Sequence, residues 1–154
     1  MTADADRAWM ERALVLAERG RGWTSPNPSV GAVIVSPHGI VVGQGTTEPP
    51  GGRHAEIVAL DEAGDAAAGA TLYVTLEPCA HHGRTGPCAV RIADAGVARV
   101  VAATTDPNPL VAGQGFAYLR AHGVEVVEGV EEIDARRQLA PFFTWITAHR
   151  PFVI

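Results

Sequence analysis

The sequence predicts an α/β protein in which helices cover both faces of a central mixed sheet. Short β-branched segments alternate with helical segments along most of the chain, which is typical of this class. The first two strand-like segments are separated by a short turn, so they are predicted to form a hairpin and hence an antiparallel pair. The segment 97–104 is apolar almost throughout, as expected for a strand covered on both faces.

The first third of the chain is predicted to form a helix and then the hairpin. A helix is expected over 6–19, because apolar residues recur there at helical spacing and Gly20 can end it. Its apolar positions are Trp9, Ala13, Leu16 and Ala17. Residues 22–30 contain too much Pro and Gly for regular structure, and the β-branched segments 30–36 and 40–45 form the hairpin.

The rest of the chain alternates helices and strands by the same criteria. The predicted elements are a helix at 54–64, a strand at 70–77, a helix at 89–96, a strand at 97–104, a helix at 116–123, a strand at 124–129 and a closing helix at 131–149. Pro141 is expected to interrupt the closing helix. Polar loops at 46–53, 78–88 and 104–114 follow predicted strands, where functional residues of such sheets collect.

The bulk composition indicates one globular domain that does not bind nucleic acid. The chain has 154 residues, of which 47% are hydrophobic and 19% charged, enough for one domain with a core. The net charge is −5 without a long basic run, whereas phosphate-binding surfaces usually cluster Lys and Arg. All 12 basic residues are Arg, which excludes a catalytic lysine.

The N-terminal segment and the cysteine count favour a soluble, cytoplasmic protein. Residues 1–14 are charged and lack the uninterrupted apolar region of a signal peptide. No segment approaches the ~18 to 20 apolar residues that a membrane span needs. The two cysteines are too few for a disulfide scaffold in a chain of this size.

Three residues with metal-ligand chemistry fall at helix starts or in loops after strands: His54, Cys79 and Cys88. One nitrogen and two sulfur ligands with an open fourth position are typical of a catalytic zinc site, whereas structural sites usually close with four protein ligands. A helix N-terminus lowers the pKa of a Cys thiol through its dipole and unpaired N–H groups. The sequence therefore predicts a zinc site with a position left for water.

Glu56 is the candidate proton shuttle of this site, because a carboxylate accepts a proton when ionised and donates one when protonated. Zinc deaminases of nucleobases carry H-x-E followed by P-C-x-x-C. Here His54-Ala55-Glu56 precedes Pro78-Cys79, but the second cysteine comes nine positions later instead of three.

Each part of this pattern has a simpler explanation when taken alone. Most H-x-E sequences are surface or capping residues, and two cysteines can be core residues or form a disulfide, although cytosolic disulfides are uncommon. The ordered combination of H-A-E on a helix and E-P-C after a strand favours a zinc deaminase site over these alternatives.

The wide cysteine spacing points to one family. TLEPCAHHGRTGPC at 75–88 closely resembles the deaminase domain of the bifunctional riboflavin-biosynthesis deaminase/reductase family. TSPNPSVGAVIV at 24–35, GGRHAE at 51–56 and DPNPLVAGQG at 106–115 match it as well. The resemblance covers essentially residues 6 to 130, with the motifs in the order of the family.

The resemblance implies a three-layer α/β/α fold of the cytidine-deaminase type, with a central mixed sheet of about five strands. It implies Zn²⁺ as cofactor and hydrolytic deamination of 2,5-diamino-6-(5-phosphoribosylamino)pyrimidin-4(3H)-one to 5-amino-6-(5-phosphoribosylamino)uracil and ammonia. By the same resemblance, the zinc ligands are His54, Cys79 and Cys88, the proton shuttle is Glu56, a pyrimidine contact is Asn27, and residues along the polar end of the substrate are His81, Arg84, Thr85, Asp106 and Asn108.

These residue types suit the implied substrate, and each also has a structural alternative. Asn can pair with a pyrimidine edge, Arg offers a fork suited to phosphate, and Asp accepts from ribose hydroxyls. Asn27, between two prolines, can instead hold a turn, and Asp106 can cap DPNP as an Asx turn. His82 and Thr85 can serve only to shape their loop.

Three departures from the family pattern affect these expectations. Thr47 stands where many members have His, which puts one substrate contact in question, and Gly86 stands where Pro is common. The family usually continues into a reductase domain. We therefore expect a deaminase domain at 1–148 and a tail at 149–154 that resembles the start of an absent reductase. The expected assembly is a homodimer or homotetramer, and a separate reductase is a candidate partner.

Two other functions stay open at this point. One is a zinc deaminase of guanine, cytosine or a tRNA adenosine. The cysteine spacing and the DPNP segment argue against it, and the acidic balance argues further against tRNA. The other is a zinc-stabilised scaffold without catalysis, which the retained Glu56 beside an open coordination position makes less favourable.

Overall fold

The computed structural model describes residues 2–80 and 87–148, and within them five strands form one mixed sheet between two helical layers. The elements are α1 Ala3–Arg19, β1 Gly31–Val35, β2 Val41–Thr46, α2 Ala55–Ala63, β3 Thr71–Val74, α3 Cys88–Asp94, β4 Arg99–Ala102, α4 Gln114–Ala121, β5 Glu125–Glu128, α5 Glu132–Gln138 and α6 Ala140–Ala148. The predicted α/β class, the opening hairpin and the strand count are confirmed.

The strand order is β2-β1-β3-β4-β5, and it brings the predicted functional loops to one edge of the sheet. β1 runs antiparallel to both β2 and β3, whereas β3, β4 and β5 are parallel. The start of β1 therefore lies beside the ends of β2, β3 and β4: Gly31 pairs with Thr46, and Val74 pairs with both Ala32 and Ala102. We call this edge of the sheet the loop edge.

Alternation along the strands divides the core between the two faces of the sheet. One face packs on α1 and α5, and its buried residues include Met10, Val33, Val35, Tyr73, Val101 and Ala135. The other face packs on α2, α3 and α4, and its buried residues include Ile34, Leu60, Leu72, Ile92, Val100 and Leu119. Because residues of β1, β3 and β4 are buried on both faces of the sheet, these three strands read as nearly continuous apolar runs in the sequence.

Two glycines of β2 let α2 lie directly on the sheet. A Cβ atom at Gly43 would collide with the carbonyl oxygen of Ala59, and one at Gly45 would collide with that of Ala55. A side chain at either position would push the helix outward. This close approach holds the N-terminus of α2 at the loop edge.

The observed helix α1 is longer than the predicted one because its cap was not recognised. Thr2 is the N-cap, and its Oγ1 accepts a hydrogen bond from the backbone N–H of Ala5 at 3.1 Å, so the helix begins at Ala3. Trp9 is only half-buried, whereas Met10 is fully buried beneath the helix.

Elements near the site begin and end differently from the sequence prediction. β3 ends at Val74 rather than at residue 77, since the chain leaves the sheet before Glu77. The closing helix breaks at Leu139, and Pro141 lies in the first turn of α6, where the missing N–H of proline is tolerated.

Among the described helices, none combines the length and apolar character needed to cross a bilayer.

A buried ion pair, which the sequence did not reveal, fastens α1 to the sheet. The Asp6 side chain is 7% exposed and accepts hydrogen bonds from both terminal nitrogens of Arg99 on β4, at 2.8 and 2.6 Å. The Tyr73 hydroxyl donates to the same carboxylate at 2.8 Å. Hydrogen bonding from Arg99 holds the pKa of Asp6 below its ordinary value.

We expect Asp6→Asn to lower the free energy of unfolding by about 3 kcal/mol, because it leaves Arg99 with a reduced set of buried partners. Since the carboxyl pKa is lower in the folded state, its stabilisation is present above the unfolded-state pKa of about 3.9 and is lost as pH falls through the folded-state value. Urea unfolding from neutral to acidic pH should therefore show a smaller acid dependence in the variant.

The matched control for this prediction is Asp134→Asn on α5. The Asp134 side chain is 55% exposed and lies 3.7 Å from Arg137, so its removal should change stability little. Equal losses of stability in the two variants would contradict the structural role assigned to Asp6.

Candidate active site

Three side chains from separate elements meet at the loop edge. The Nδ1 atom of His54 lies 3.2 Å from the Sγ atom of Cys88 and 3.9 Å from that of Cys79. The three potential ligand atoms all lie within 4.8 Å of one another. Ligand atoms arranged tetrahedrally around zinc are about 3.5 Å apart, so the donor set and its spacing fit a zinc ion.

Local backbone structure explains how each of the three residues reaches the cluster. His54 is the N-cap of α2, and Cys88 is the first residue of α3. Cys79 follows β3, and its carbonyl oxygen accepts a hydrogen bond from the N–H of Ala89 at 2.9 Å. Its Sγ atom accepts one from the N–H of Cys88 at 3.3 Å. The start of α3 is thus fastened to the segment after β3.

The pKa values of the two cysteines are shifted in opposite directions. The neighbouring Cys88 thiol, together with His54, lowers the pKa of Cys79 to about 4. The contact with Cys79 and burial raise the pKa of Cys88 above its ordinary value. A bound dication would favour the ionised form of both cysteines.

Glu56 lies in the first turn of α2 and is only 4% exposed. Burial, and then the negative charge of Cys79, raises its pKa to about 7. The contact with Cys79 raises the pKa of His54. A carboxyl group that titrates near neutrality beside a candidate metal site is suited to accept and to return a proton.

A surface network of ion pairs holds the loop that precedes His54. Arg53 contacts both carboxylate oxygens of Glu48, each at 3.0 Å, and reaches Asp61 on α2 at 2.9 Å. Asp61 also pairs with Arg91 on α3 at 3.1 Å. The network links α2 to α3 next to the cluster. These ion pairs were not predicted, since no local pattern in the sequence indicates the partners.

The structure assigns a structural role to Thr47, the residue that stands where many family members have His. Thr47 is 7% exposed, and its Oγ1 accepts a hydrogen bond from the N–H of Val30 at 3.0 Å. Thr75 makes a similar contact, because its Oγ1 accepts from the N–H of Gly31 at 3.2 Å. These two hydroxyls fasten the start of β1 to the ends of β2 and β3.

Asn27 lies on the loop that leads into β1 and is exposed. The turn around it is closed by its backbone and by Thr24, whose hydroxyl donates to the Asn27 carbonyl at 2.8 Å. Asn27 lines a cavity of about 490 Å³ between the end of α1 and α6, together with Gln138, Phe142 and Trp145. The described lining of this cavity does not include the His54 cluster.

Asp106 and Asn108 lie at the loop edge after β4, and both are half-buried. Asp106 Oδ1 accepts a hydrogen bond from the N–H of Asn108 at 2.9 Å, and Asn108 Oδ1 accepts one from the N–H of Leu110 at 3.0 Å. Asp106 therefore forms the Asx turn that was given as the structural alternative to substrate contact. The Asn108 carboxamide also carries two N–H donors, so its role in the turn is compatible with ligand contact.

Three predicted substrate residues, His81, Arg84 and Thr85, lie outside the described residues, as do the tail at 149–154 and Gly86. Glu77 is a buried polar residue of the TLEPC segment for which the sequence predicted no role. It is 5% exposed, and it accepts hydrogen bonds from backbone N–H groups of the segment 106–116. An acidic residue at the end of an otherwise apolar predicted strand was the available signal.

The family comparison agrees with this geometry. Residues 3–104 match the family described as "Cytidine and deoxycytidylate deaminase zinc-binding region". The chain belongs to this deaminase family. Its predicted fold type and its class, a hydrolytic deaminase of a zinc-binding family, are thereby confirmed.

Individual relatives carry more specific names. The chain is 52% identical to riboflavin biosynthesis protein RibD of Aquifex aeolicus over 153 residues, which are 99% of this chain and 43% of that protein. It is 45% identical to a diaminohydroxyphosphoribosylamino-pyrimidine deaminase of Buchnera aphidicola, over 90% of this chain and 93% of that one.

One solved structure is matched over a similar share of its length. The diaminohydroxyphosphoribosylaminopyrimidine deaminase/5-amino-6-(5-phosphoribosylamino)uracil reductase of Thermotoga maritima superposes with a TM-score of 0.91 at 43% identity. The superposition covers 97% of this chain and 43% of that one. The chain therefore spans less than half the length of the RibD protein and of this bifunctional structure, and nearly the full length of the Buchnera deaminase.

Proposed function

We propose that the chain catalyses hydrolytic deamination of 2,5-diamino-6-(5-phosphoribosylamino)pyrimidin-4(3H)-one to 5-amino-6-(5-phosphoribosylamino)uracil and ammonia, a step of riboflavin biosynthesis. The observation that carries the reaction type is the cluster of His54, Cys79 and Cys88 with the buried Glu56 beside it. The choice of substrate is supported by the names of relatives that are 45 to 52% identical to this chain.

The ligand set suits zinc. His54 supplies a ring nitrogen and the two cysteines supply sulfurs, which leaves a fourth position open in a tetrahedral site. Zinc held there would polarise water and lower the pKa of that water towards neutrality. The start of α3 supports the sulfurs, because its first N–H group donates to Cys79.

Glu56 moves the protons of the reaction. It accepts a proton from the attacking water and donates it to the ring nitrogen next to the amine-bearing carbon. The oxygen forms its bond to that carbon, and Glu56 then carries the second water proton to the leaving amine. The C–N bond breaks, ammonia departs and the carbon retains the oxygen as a carbonyl. A pKa of about 7 lets Glu56 both accept and donate at neutral pH.

The polar end of the substrate is assigned to the loop edge. We place Asn27 against the pyrimidine, and we place Asp106 and Asn108 with His81, Arg84 and Thr85 along the ribose phosphate. Support comes from the sheet topology, since the loop around residue 27 precedes the start of β1, and the loops around residues 79 and 106 follow the ends of β3 and β4 at the same edge. Carboxylate, amide and guanidinium groups match ribose hydroxyls, a pyrimidine edge and a phosphate.

Ammonia release tests the proposed function. The zinc-loaded protein is expected to deaminate the phosphoribosylaminopyrimidine, and to act far more slowly on cytosine, guanine or a tRNA adenosine. Coupled detection of ammonia with each substrate at equal concentration gives the comparison. A faster reaction with one of the other bases would replace the substrate assignment, and a zinc-loaded protein inactive on all of them would favour the scaffold.

We also propose that residues 1–148 form the deaminase domain and that 149–154 correspond to the start of a reductase. This division is supported by the name of the Thermotoga maritima protein, which includes a reductase activity. A fused or separate reductase would consume the deaminated product. Assembly into a homodimer or homotetramer and a cytoplasmic location stay predictions, and sedimentation of the purified chain tests the first.

A further inference from the structure

We propose that Glu77 is a positioning residue that sets the distance between the metal-binding cluster and the segment holding the polar end of the substrate. This inference rests on the proposed function. Glu77 lies two residues before Cys79 and is 5% exposed. A buried carboxylate is retained at little cost only when hydrogen bonds satisfy it.

The hydrogen bonds of Glu77 all point towards one distant segment. Its Oε1 atom accepts from the N–H groups of Asp106 and Gly113, each at 3.0 Å. Its Oε2 atom accepts from the N–H of Phe116 at 3.2 Å. The backbone N–H of Glu77 donates in turn to the carbonyl of Thr104 at 2.9 Å. One side chain thus holds both ends of the segment 106–116.

The same segment is packed against the residue that follows Glu77. A Cβ atom at Gly115 would collide with the carbonyl oxygen of Pro78, so the first turn of α4 lies directly on the Pro78–Cys79 peptide. The carboxylate also faces the N-terminus of α4, where the helix dipole favours a negative charge. Cys79 is the next residue after Pro78, so the metal ligand and the segment share one rigid support.

This support determines where Asp106 and Asn108 lie. Their side chains are oriented by local turns, in which Asp106 Oδ1 accepts from the Asn108 N–H and Asn108 Oδ1 accepts from the Leu110 N–H. Those turns fix the shape of the segment but not its distance from the cluster. Glu77 sets that distance, because its side chain is hydrogen-bonded to the segment and it lies two residues before the candidate metal ligand Cys79.

The test is Glu77→Gln, which keeps the shape of the side chain and replaces one acceptor oxygen with an amide that cannot accept. We expect KM for the phosphoribosylaminopyrimidine to rise about tenfold, with kcat changed by less than about threefold and zinc content unchanged. Glu77→Asp keeps the charge on a shorter side chain, and its KM should lie between those of wild type and Glu77→Gln.

Asp6→Asn is the matched control, since it also removes a buried carboxylate that binds distant residues but lies on α1. It should lose stability without a change in KM. An unchanged KM in Glu77→Gln would overturn the proposal, as would loss of zinc or of kcat alone, or an equal rise of KM in the control. Failure of both Glu77 variants to fold would also overturn it, because Glu77 would then be a folding residue.

The outcome is separable from that of the proposed function. If wild type releases no ammonia from any of the bases, the proposed function fails and KM cannot be measured. Amide hydrogen exchange in Glu77→Gln then shows directly whether the Glu77 side chain holds the segment 106–116. Loss of protection at Asp106, Gly113 and Phe116, with the sheet still protected, supports the proposal, and unchanged protection at these amides overturns it.

Discussion

Glu56→Gln is expected to lower kcat by a factor of about 10² to 10⁴ while the protein keeps its zinc. The substitution retains the size of the side chain but removes the group that accepts and returns protons. The carboxyl is buried in the first turn of α2 and has a pKa of about 7, so the loss falls on proton transfer rather than on folding. Ammonia release and zinc content measured on the same preparation check both parts.

Glu62→Gln provides the matched control on the same helix. Glu62 is exposed on α2, so its neutral variant should keep wild-type kcat and zinc content. Wild-type turnover in Glu56→Gln would contradict the shuttle assignment. Loss of zinc together with turnover would indicate instead that Glu56 supports the metal site.

Cys88→Ser is expected to weaken zinc binding by more than about 100-fold and to abolish activity with it, because serine is a poor zinc ligand at neutral pH. The side chain is fully buried and lies 3.2 Å from the His54 ring nitrogen, so its loss opens the cluster. Zinc per chain, measured after dialysis against a weak chelator, gives the comparison with wild type.

Thermal unfolding offers a second measurement for the same variant. A ligand that binds only the folded state raises its stability, so a strong chelator should lower the melting temperature of wild type. The chelator should have little effect on Cys88→Ser. His54→Ala should behave like Cys88→Ser, whereas His38→Ala, in an exposed turn, should behave like wild type. Unchanged zinc stoichiometry in Cys88→Ser would remove it from the ligand set.

The residues of the candidate metal site could be predicted from the sequence. His54 and Glu56 share one short motif, and Cys79 and Cys88 share another, so their chemistry is visible without knowledge of the fold. The structure then places His54, Cys79 and Cys88 within 4.8 Å of one another. It also shows that Cys88 begins α3, and that the Cys88 N–H supports the Cys79 sulfur.

Contacts that keep this site in shape were invisible in the sequence. Glu77 binds N–H groups 29 to 39 residues further along the chain. Arg53 and Arg91 are linked because both form ion pairs with Asp61. No local spacing identifies such partners, because any exposed or buried acid in the chain is an equally good candidate before the neighbours are known.

The sequence alone determined the class of the fold, the order of its helices and strands, and the residue types of a zinc-dependent deaminase. Those features are local, since they follow from periodicity, turn residues and contiguous motifs. Only the tertiary structure decided that β1 lies between β2 and β3, and therefore which loops meet at one edge. The same is true of the Asp6–Arg99 pair, whose members are 93 residues apart, because hydrogen bonds of this kind depend on strand order rather than on chain neighbours.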